Sequence, residues 1–391
     1  MIMLEGLKTL KDMDFKGKKV FLRAGFDVPV DESGKILDDF RIVETIPTIK
    51  ELIKKGASQI IIGCHQGRPK GEEPRLSTKN IAKKIFSLTK KKTEFFSDYL
   101  DPREEFPTPK EAFIVMLENL RFHPEEELDD EEFAKKLAAL ADVYVNDAFS
   151  NAHREHASMH AITRFLPGCI GLLVEKELKV FDYLLTHPEV PFMAILGGAK
   201  LETKIPIIRN LLDKTDNILL GGAMIFTFYK AKGYYVGKSI VDKNQLTMAR
   251  MLSYNEKIIL PTDIMVSDDM HSSNSFNMSP ENLPSYMIGL DIGEKSVEHY
   301  KQILSEAKTV VWNGPLGYYE NPVFAKATIE ILKFLASKQD IKTIIGGGDS
   351  ATIVDKLGLK DKFFHVSTGG GASMTLLEGK PLVAIEAIRN Q

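Results

Sequence analysis

The sequence predicts an α/β chain of two doubly wound, Rossmann-like parallel-sheet domains joined by a long helix and hinge. Three observations carry this expectation. Short apolar runs of strand length alternate with stretches bearing apolar residues at helical spacing, the pattern of parallel sheets covered by helices. In the second half five such runs end in glycine-rich loops: LGGAK at 196–200, GGAM at 221–224, WNGPLG at 312–317, GGGD at 346–349 and TGGG at 368–371. In the first half the runs end in cationic residues instead. At 391 residues the chain also exceeds what one core usually supports.

In chain order, KKVFLRAGFD presents Arg23, and RIVETIPTIKELIKKG at 41–56 reads as an amphipathic helix. QIIIGC is followed by His65 and Arg68, and IVMLENL by Arg121 and His123. DDEEFAKKLAALA at 129–141 is a second helical pattern, and DVYVNDAF leads to His153, Arg154 and His156. GLLVEKELKVFDYLLTH at 171–187 is a long helix ended by Pro188, the natural connector between the halves, and a new strand starts at Pro191. The runs FMAIL, NILL, TVV, KTII and FFHVS are the strands of the second half. The expected boundaries are 1–170, a connecting helix at 171–187, and 188–370.

Glycines at the carboxyl ends of parallel strands let backbone amides and helix N-termini close around a phosphate-bearing ligand. Arginines there make an anion pocket. Two binding surfaces follow: an anion pocket in the first half and a nucleotide cradle in the second.

Several classes are disfavoured. Net charge is −3 with both signs interspersed, so no nucleic acid or membrane partner is expected. The two cysteines, Cys64 and Cys169, sit in apolar surroundings and suit a reducing compartment. No leader-like or membrane-length apolar run is present, and a cytoplasmic protein is expected. GYYVGKS at 233–239 misses the phosphate-loop pattern because Lys232 stands where its first glycine belongs, and it follows a helical stretch. The dinucleotide fingerprint is absent, which disfavours a nicotinamide enzyme.

The strings ENLRFH at 118–123, DVYVNDAF at 142–149, AHREHAS at 152–158, AILGGAK at 194–200, VWNGP at 311–315, GGGDS at 346–350 and HVSTGGGAS at 365–373 together resemble phosphoglycerate kinase, in that family's order and over nearly the whole chain. The resemblance implies a monomeric, hinge-bending glycolytic enzyme that moves a phosphoryl group between 1,3-bisphosphoglycerate and MgADP, giving 3-phosphoglycerate and MgATP. It implies a substrate pocket of Arg23, Gly25, Phe26, Asp27, Arg41, His65, Gln66, Gly67, Arg68, Arg121 and Arg154. The nucleotide side would hold Gly198, Lys200, Lys204, Gly221, Gly222, Gly289, Asn313, Pro315, Glu320, Gly347, Gly348, Asp349 and Ser350. Arg41, Lys200 and Lys204 would be catalytic, stabilising charge on the transferring group, and Asp349 would bind Mg²⁺. Glu320 suits ribose hydroxyls better than phosphate. Residues 371–391 would return to the first domain.

Simpler uses stay open beside these. A lone arginine is usually a solvated charge. Lys200 and Lys204, four apart, could line one helix face, Asp349 could cap a helix, and Trp312 could be core or ligand stack.

The chain departs from the family at specific positions. The family's Arg-x-Asp-Phe-Asn-Val-Pro reads Arg23-Ala24-Gly25-Phe26-Asp27-Val28-Pro29, so the carboxylate expected to accept the glycerate hydroxyl is missing at Gly25, with Asp27 two residues away to take over. Gly-Thr after the DAF string is Ser150-Asn151, a third glycine is Ala223, Leu-Glu is Met374-Thr375, and the tail at 380–391 lacks the family's Pro-Gly. Two competing classes remain: a nucleotide-dependent binding protein that has lost catalysis through Gly25, and a metallohydrolase on His153, His156 and His160.

Overall fold

The structure, a computed structural model, describes residues 2–391 except 102–105 and 112. It divides into two compact units, Met1–Asp182 with Pro381–Gln391, and Tyr183–Lys380.

In the first unit, β1 (Lys19–Ala24), β2 (Gln59–Gly63), β3 (Thr93–Phe96), β4 (Ile114–Leu117), β5 (Val143–Asp147) and β6 (Gly168–Ile170) form one parallel sheet in the order β3-β4-β2-β1-β5-β6. β2, β4 and β5 are buried along their whole length, which is why they read as continuous apolar runs without alternation. The helix Phe40–Lys54 covers this sheet with Ile42, Ile46, Ile49 and Leu52, spaced three or four apart so that they share one face. β3 and β6 were not legible as strands, being short and, for β3, only half-buried.

The second unit repeats the plan. β7 (Phe192–Leu196), β8 (Asn217–Leu220), β9 (Ile258–Ile259), β10 (Thr309–Asn313), β11 (Lys342–Gly346) and β12 (His365–Val366) are all parallel, in the order β9-β8-β7-β10-β11-β12. An antiparallel sheet of Ile264–Ser267, Phe276–Met278 and Ile288–Ile292 is added, which the sequence reading did not include.

Each main sheet reverses its winding once. In the first the reversal falls between β1 and β5, in the second between β7 and β10. Ligands of such sheets bind outside the carboxyl ends of the strands at these points, because the loops there run to opposite faces and leave a crevice.

The connecting helix spans Leu172–Thr186. Its N-terminus is held by Asp147 Oδ1, which accepts the N–H groups of Leu173 at 2.9 Å and Val174 at 3.3 Å. Residues 371–380 group with the second unit, and the stretch that packs on the first begins at Pro381, ten residues later than the sequence reading expected. Ala384 N donates to Ala152 O at 3.1 Å, and Gln391 Oε1 accepts from Gly168 N at 2.7 Å.

Candidate active site

On the first unit a chain of contacts joins most of the expected anion-pocket residues. Arg23, fully buried at the end of β1, donates from Nε to Ser158 Oγ at 2.7 Å and lies 3.6 Å from Glu126 Oε1. Its Nη2 is 3.3 Å from His65 Nδ1, while His65 Nε2 is 3.5 Å from Asp27 Oδ2. These partners assign the ring: Nδ1 accepts from Arg23 and Nε2–H faces Asp27. Burial brings His65 down to about 4, against the pull of Asp27, so the ring is neutral at pH 7. Burial alone would raise the Asp27 carboxyl, but His65, the Gly67 N–H and Arg41 together hold it far below the usual range.

Asp27 Oδ1 accepts the Gly67 N–H at 2.8 Å, and its backbone carbonyl accepts Arg41 Nη1 at 2.6 Å. Gly67 O in turn accepts Arg121 Nη1 at 2.8 Å. Arg121 is nearly buried, with Glu127 3.0 Å from Nε and Nη2 left with no hydrogen-bond partner. Arg154 follows at 3.3 Å from His153 Nε2, and its charge depresses both Arg121 and His156 after the larger effect of burial. Arg68 stands exposed on the Gly67 loop.

Two expected contacts are spent elsewhere. The Phe26 ring is fully buried in the core, so only its backbone can face a ligand. Gln66 is bound at both ends of its amide to the Val28 backbone.

The three histidines of the metallohydrolase reading do not converge. His160 Nδ1 is 2.6 Å from Asp129 Oδ2, His156 Nδ1 is 3.8 Å from Glu126 Oε1, and His153 faces Arg154. Among the described residues no group of three or more His, Cys, Asp or Glu is placed to hold a metal.

On the second unit the strand-end loops interlock. Gly198 N donates to Pro315 O at 3.0 Å, Gly221 N to Leu196 O at 2.9 Å and Gly222 N to Leu316 O at 2.7 Å. A Cβ on Gly222, whose φ is +69°, would strike the backbone of Gly198. The paired glycines therefore let three loops touch, a use beyond turning the chain. Trp312 is core: fully buried, it donates from Nε1 to Gly314 O at 2.7 Å.

These loops border a cavity of about 300 Å³. Gly198, Gly222, Gly289, Pro315, Glu320 and Asp349, all named for the nucleotide side by the family resemblance, line it. Ile240, Met270, Ile288, Leu290, Tyr318 and Tyr319 line it as well, beside Ala199, Ala223 and Gly317, and sequence reasoning missed those six. The aromatic pair beside Glu320 was the signal that could have found the tyrosines; the aliphatic residues carry none, because apolar lining looks like core until it is placed.

Lys204 and Asn313 form a buried pair beside the cavity, the ammonium donating to Asn313 Oδ1. Asn313 Nδ2 is buried with no partner. Burial brings Lys204 down to about 8 against the charges of Asp349 and Glu378. Ser350 Oγ accepts Gly314 N at 3.0 Å, so it braces the loop, while Lys200 is exposed. The helix Gly348–Lys356 starts from Gly347, φ +97°, with no side-chain cap. Asp349 thus does not cap it; its exposed carboxylate meets Tyr319 Oη at 3.3 Å.

No helix among the described residues is long and apolar enough to cross a membrane. A protein-family model described as Phosphoglycerate kinase matches residues 10–380. A phosphoglycerate kinase of Nostoc punctiforme is 45% identical over 395 residues, covering 98% of both chains. A cytosolic phosphoglycerate kinase of Triticum aestivum is 46% identical, covering 97% of each. The solved phosphoglycerate kinase of Coxiella burnetii superposes with a TM-score of 0.85 at 32% identity, over 98% of this chain and 99% of that one. On this coverage, sequence and fold together, the chain belongs to the phosphoglycerate kinase family.

Proposed function

We propose that the cationic cluster of the first unit binds 3-phosphoglycerate or 1,3-bisphosphoglycerate and that the glycine loops of the second bind ADP or ATP with Mg²⁺. Family membership makes the chain a glycolytic kinase, a phosphotransferase whose acceptor is a carboxyl group, with ATP and ADP as substrates. The observation that supports the residue assignment is that two of the buried donors left without partners fall on expected ligand residues. Arg121 Nη2 and Asn313 Nδ2 are buried without partners, one on each unit, and an orphaned buried donor costs about 1–3 kcal/mol unless a ligand satisfies it. Phosphate and carboxylate oxygens are the acceptors both places suit.

Each group then has a task. Arg121 and Arg154 hold the phosphate of the triose by charge-assisted hydrogen bonds. Neutral His65 donates from Nε2 and is kept in that tautomer by Arg23 and Asp27. Arg41, tied to Asp27 O, is oriented by the same loop and acts on the transferring group. Lys204 and Lys200 balance charge on the nucleotide phosphates, with Asn313 fixing the ammonium of Lys204. In-line phosphoryl transfer leaves the protein mainly positioning and neutralisation, and this residue set supplies both. Glu320 accepts ribose hydroxyls.

The donor set fits Mg²⁺, an ion held by one or two carboxylates while phosphate and water fill the rest. Asp349 is an uncapped, exposed carboxylate on the cavity wall and would hold it. When bound, the ion neutralises charge on the β- and γ-phosphates. Hinge bending between the units, a monomeric state and a cytoplasmic location complete the proposal.

A coupled assay with 3-phosphoglycerate, MgATP and a reporter for the acyl phosphate tests it. Turnover that Arg41→Ala and Lys204→Ala depress by about 10² or more supports the assignment. Binding of both ligands without turnover would move the chain to the non-catalytic reading that Gly25 raises.

A further inference from the structure

We propose that the hydroxyl of Ser150 is the acceptor for the substrate's own hydroxyl, and so a specificity-determining group of the anion pocket. The inference rests on the glycerate reading above and extends it.

Gly25 and Ser150 meet at the winding reversal of the first sheet. β1 and β5 pair in register through Ala24 and Asp147, so Gly25 and the turn after β5 leave the sheet side by side. A Cβ built on Gly25 would lie 3.0 Å from Ser150 Oγ and 3.4 Å from Ala148 Cα. The serine hydroxyl thus borders the space that a side chain at 25 would enter. The Gly25 backbone lies outside the left-handed region, so the absence of a side chain there is not a demand of the turn. The two departures from the family pattern, at 25 and at 150, are one reciprocal exchange in space.

Ser150 is half-buried and oriented. Its Oγ donates to Asn151 Oδ1 at 3.0 Å, which spends its proton and leaves the oxygen's lone pairs as acceptors. The turn is fixed from both sides, by Arg154 N on Asn151 O at 3.0 Å and by Ala384 N on Ala152 O at 3.1 Å.

The chemistry of the pocket calls for such an acceptor. Arginines only donate, so they satisfy carboxylate and phosphate but not a hydroxyl hydrogen. The nearby carboxylates are committed. Asp27 holds Gly67 N and His65; Glu126, fully buried, holds Ser158 N at 3.0 Å and Oγ at 2.6 Å. Glu127 faces Arg121, and Asp147, fully buried, holds the helix N-terminus at Leu173 through Oδ1 and keeps its unpartnered Oδ2 inside the unit. Ser150 Oγ, half-exposed where Asp147 Oδ2 is fully buried, is the oriented acceptor that the reversal presents to a ligand.

The test is calorimetric titration of the full chain with 3-phosphoglycerate and with 3-phosphonooxypropanoate, which lacks the hydroxyl. The unaltered chain is expected to prefer the hydroxylated ligand by roughly tenfold. Ser150→Ala should bind both ligands equally, losing the preference while keeping its affinity for the deoxy compound. A merely structural role would weaken both alike and keep the ratio. Gly25→Asp should be poor alone, crowded by Ser150 Oγ, and Gly25→Asp with Ser150→Gly should restore the preference, a non-additive pair. If Ser150→Ala discriminates as well as the unaltered chain, or if the unaltered chain binds both ligands alike, the inference is overturned while the substrate reading stands. If the unaltered chain binds neither ligand, the substrate reading falls and this inference with it.

Discussion

The buried ammonium of Lys204 donates to Asn313 Oδ1, and that contact ties a depressed lysine to an amide whose other end has no partner. Burial is the largest influence on Lys204 and brings it from the ordinary 10.5 down to about 8. Two pH effects of opposite sign are expected. MgATP affinity should fall as pH rises through 8, because the neutral amine no longer attracts phosphate. Stability of the ligand-free chain should rise over pH 8 to 10.5, since there the unfolded lysine binds a proton that the folded one has released. Lys204→Arg, always charged, should flatten the binding profile even if it binds less well. A pH-independent affinity in the unaltered chain would contradict this.

Arg41 and Arg121 should separate kinetically. Arg41→Ala is expected to depress kcat by 10² or more, on the order seen when a transition-state donor is lost, with little change in ATP affinity. Arg121→Ala and Arg154→Ala should act mainly on KM for 3-phosphoglycerate. Arg121 also holds Gly67 O, so its loss loosens the Asp27 loop as well. Equal effects on kcat and on both KM values would refute the division.

Asp349→Ala should weaken MgATP much more than nucleotide in EDTA, because the carboxylate acts through the ion. Tyr319→Phe, which removes the hydroxyl 3.3 Å from Asp349, should leave the ratio of the two affinities near its original value. Identical losses with and without Mg²⁺ for Asp349→Ala would leave it no metal role.

Deleting 381–391 should destabilise the first unit. Leu382, Ile385 and Ile388 are each about 2% exposed, and burying such a side chain is worth about 1.5–3 kcal/mol. The deletion also strips the bonds of Gln391 to Gly168 N and Leu166 O. Hydrogen exchange should quicken in β5 and β6 first. Unchanged protection there would show that the tail adds nothing to this sheet.

Asp27→Asn restores the family's residue, yet should raise KM for 3-phosphoglycerate several-fold. The amide can still accept Gly67 N–H, but the charge that steadies His65 Nε2–H is gone. If affinity instead improves, Asp27 is a defect that the pocket tolerates.

Sequence alone determined the two-sheet plan and the long connecting helix, and it offered a candidate charged set through a family resemblance. The physical reason is that buried parallel strands must read as unbroken apolar runs, as in β2, β5 and β7, and that loops at their ends show their chemistry as arginine or glycine. Tertiary structure alone decided which of these residues are spent on one another. Phe26 and Gln66 stand between expected ligand residues in the chain but turn into the core and to the Val28 backbone. Asp27, the carboxylate that sequence offered in place of the missing one, is bound by a loop 40 residues away. The nearness of Gly25 to Ser150 was invisible because it depends on β1 lying beside β5, a pairing of strands more than a hundred residues apart that no local pattern encodes. The apolar cavity wall was equally hidden, since an isoleucine facing a ligand and one facing the core obey the same hydrophobic rule and differ only in what the fold leaves opposite them.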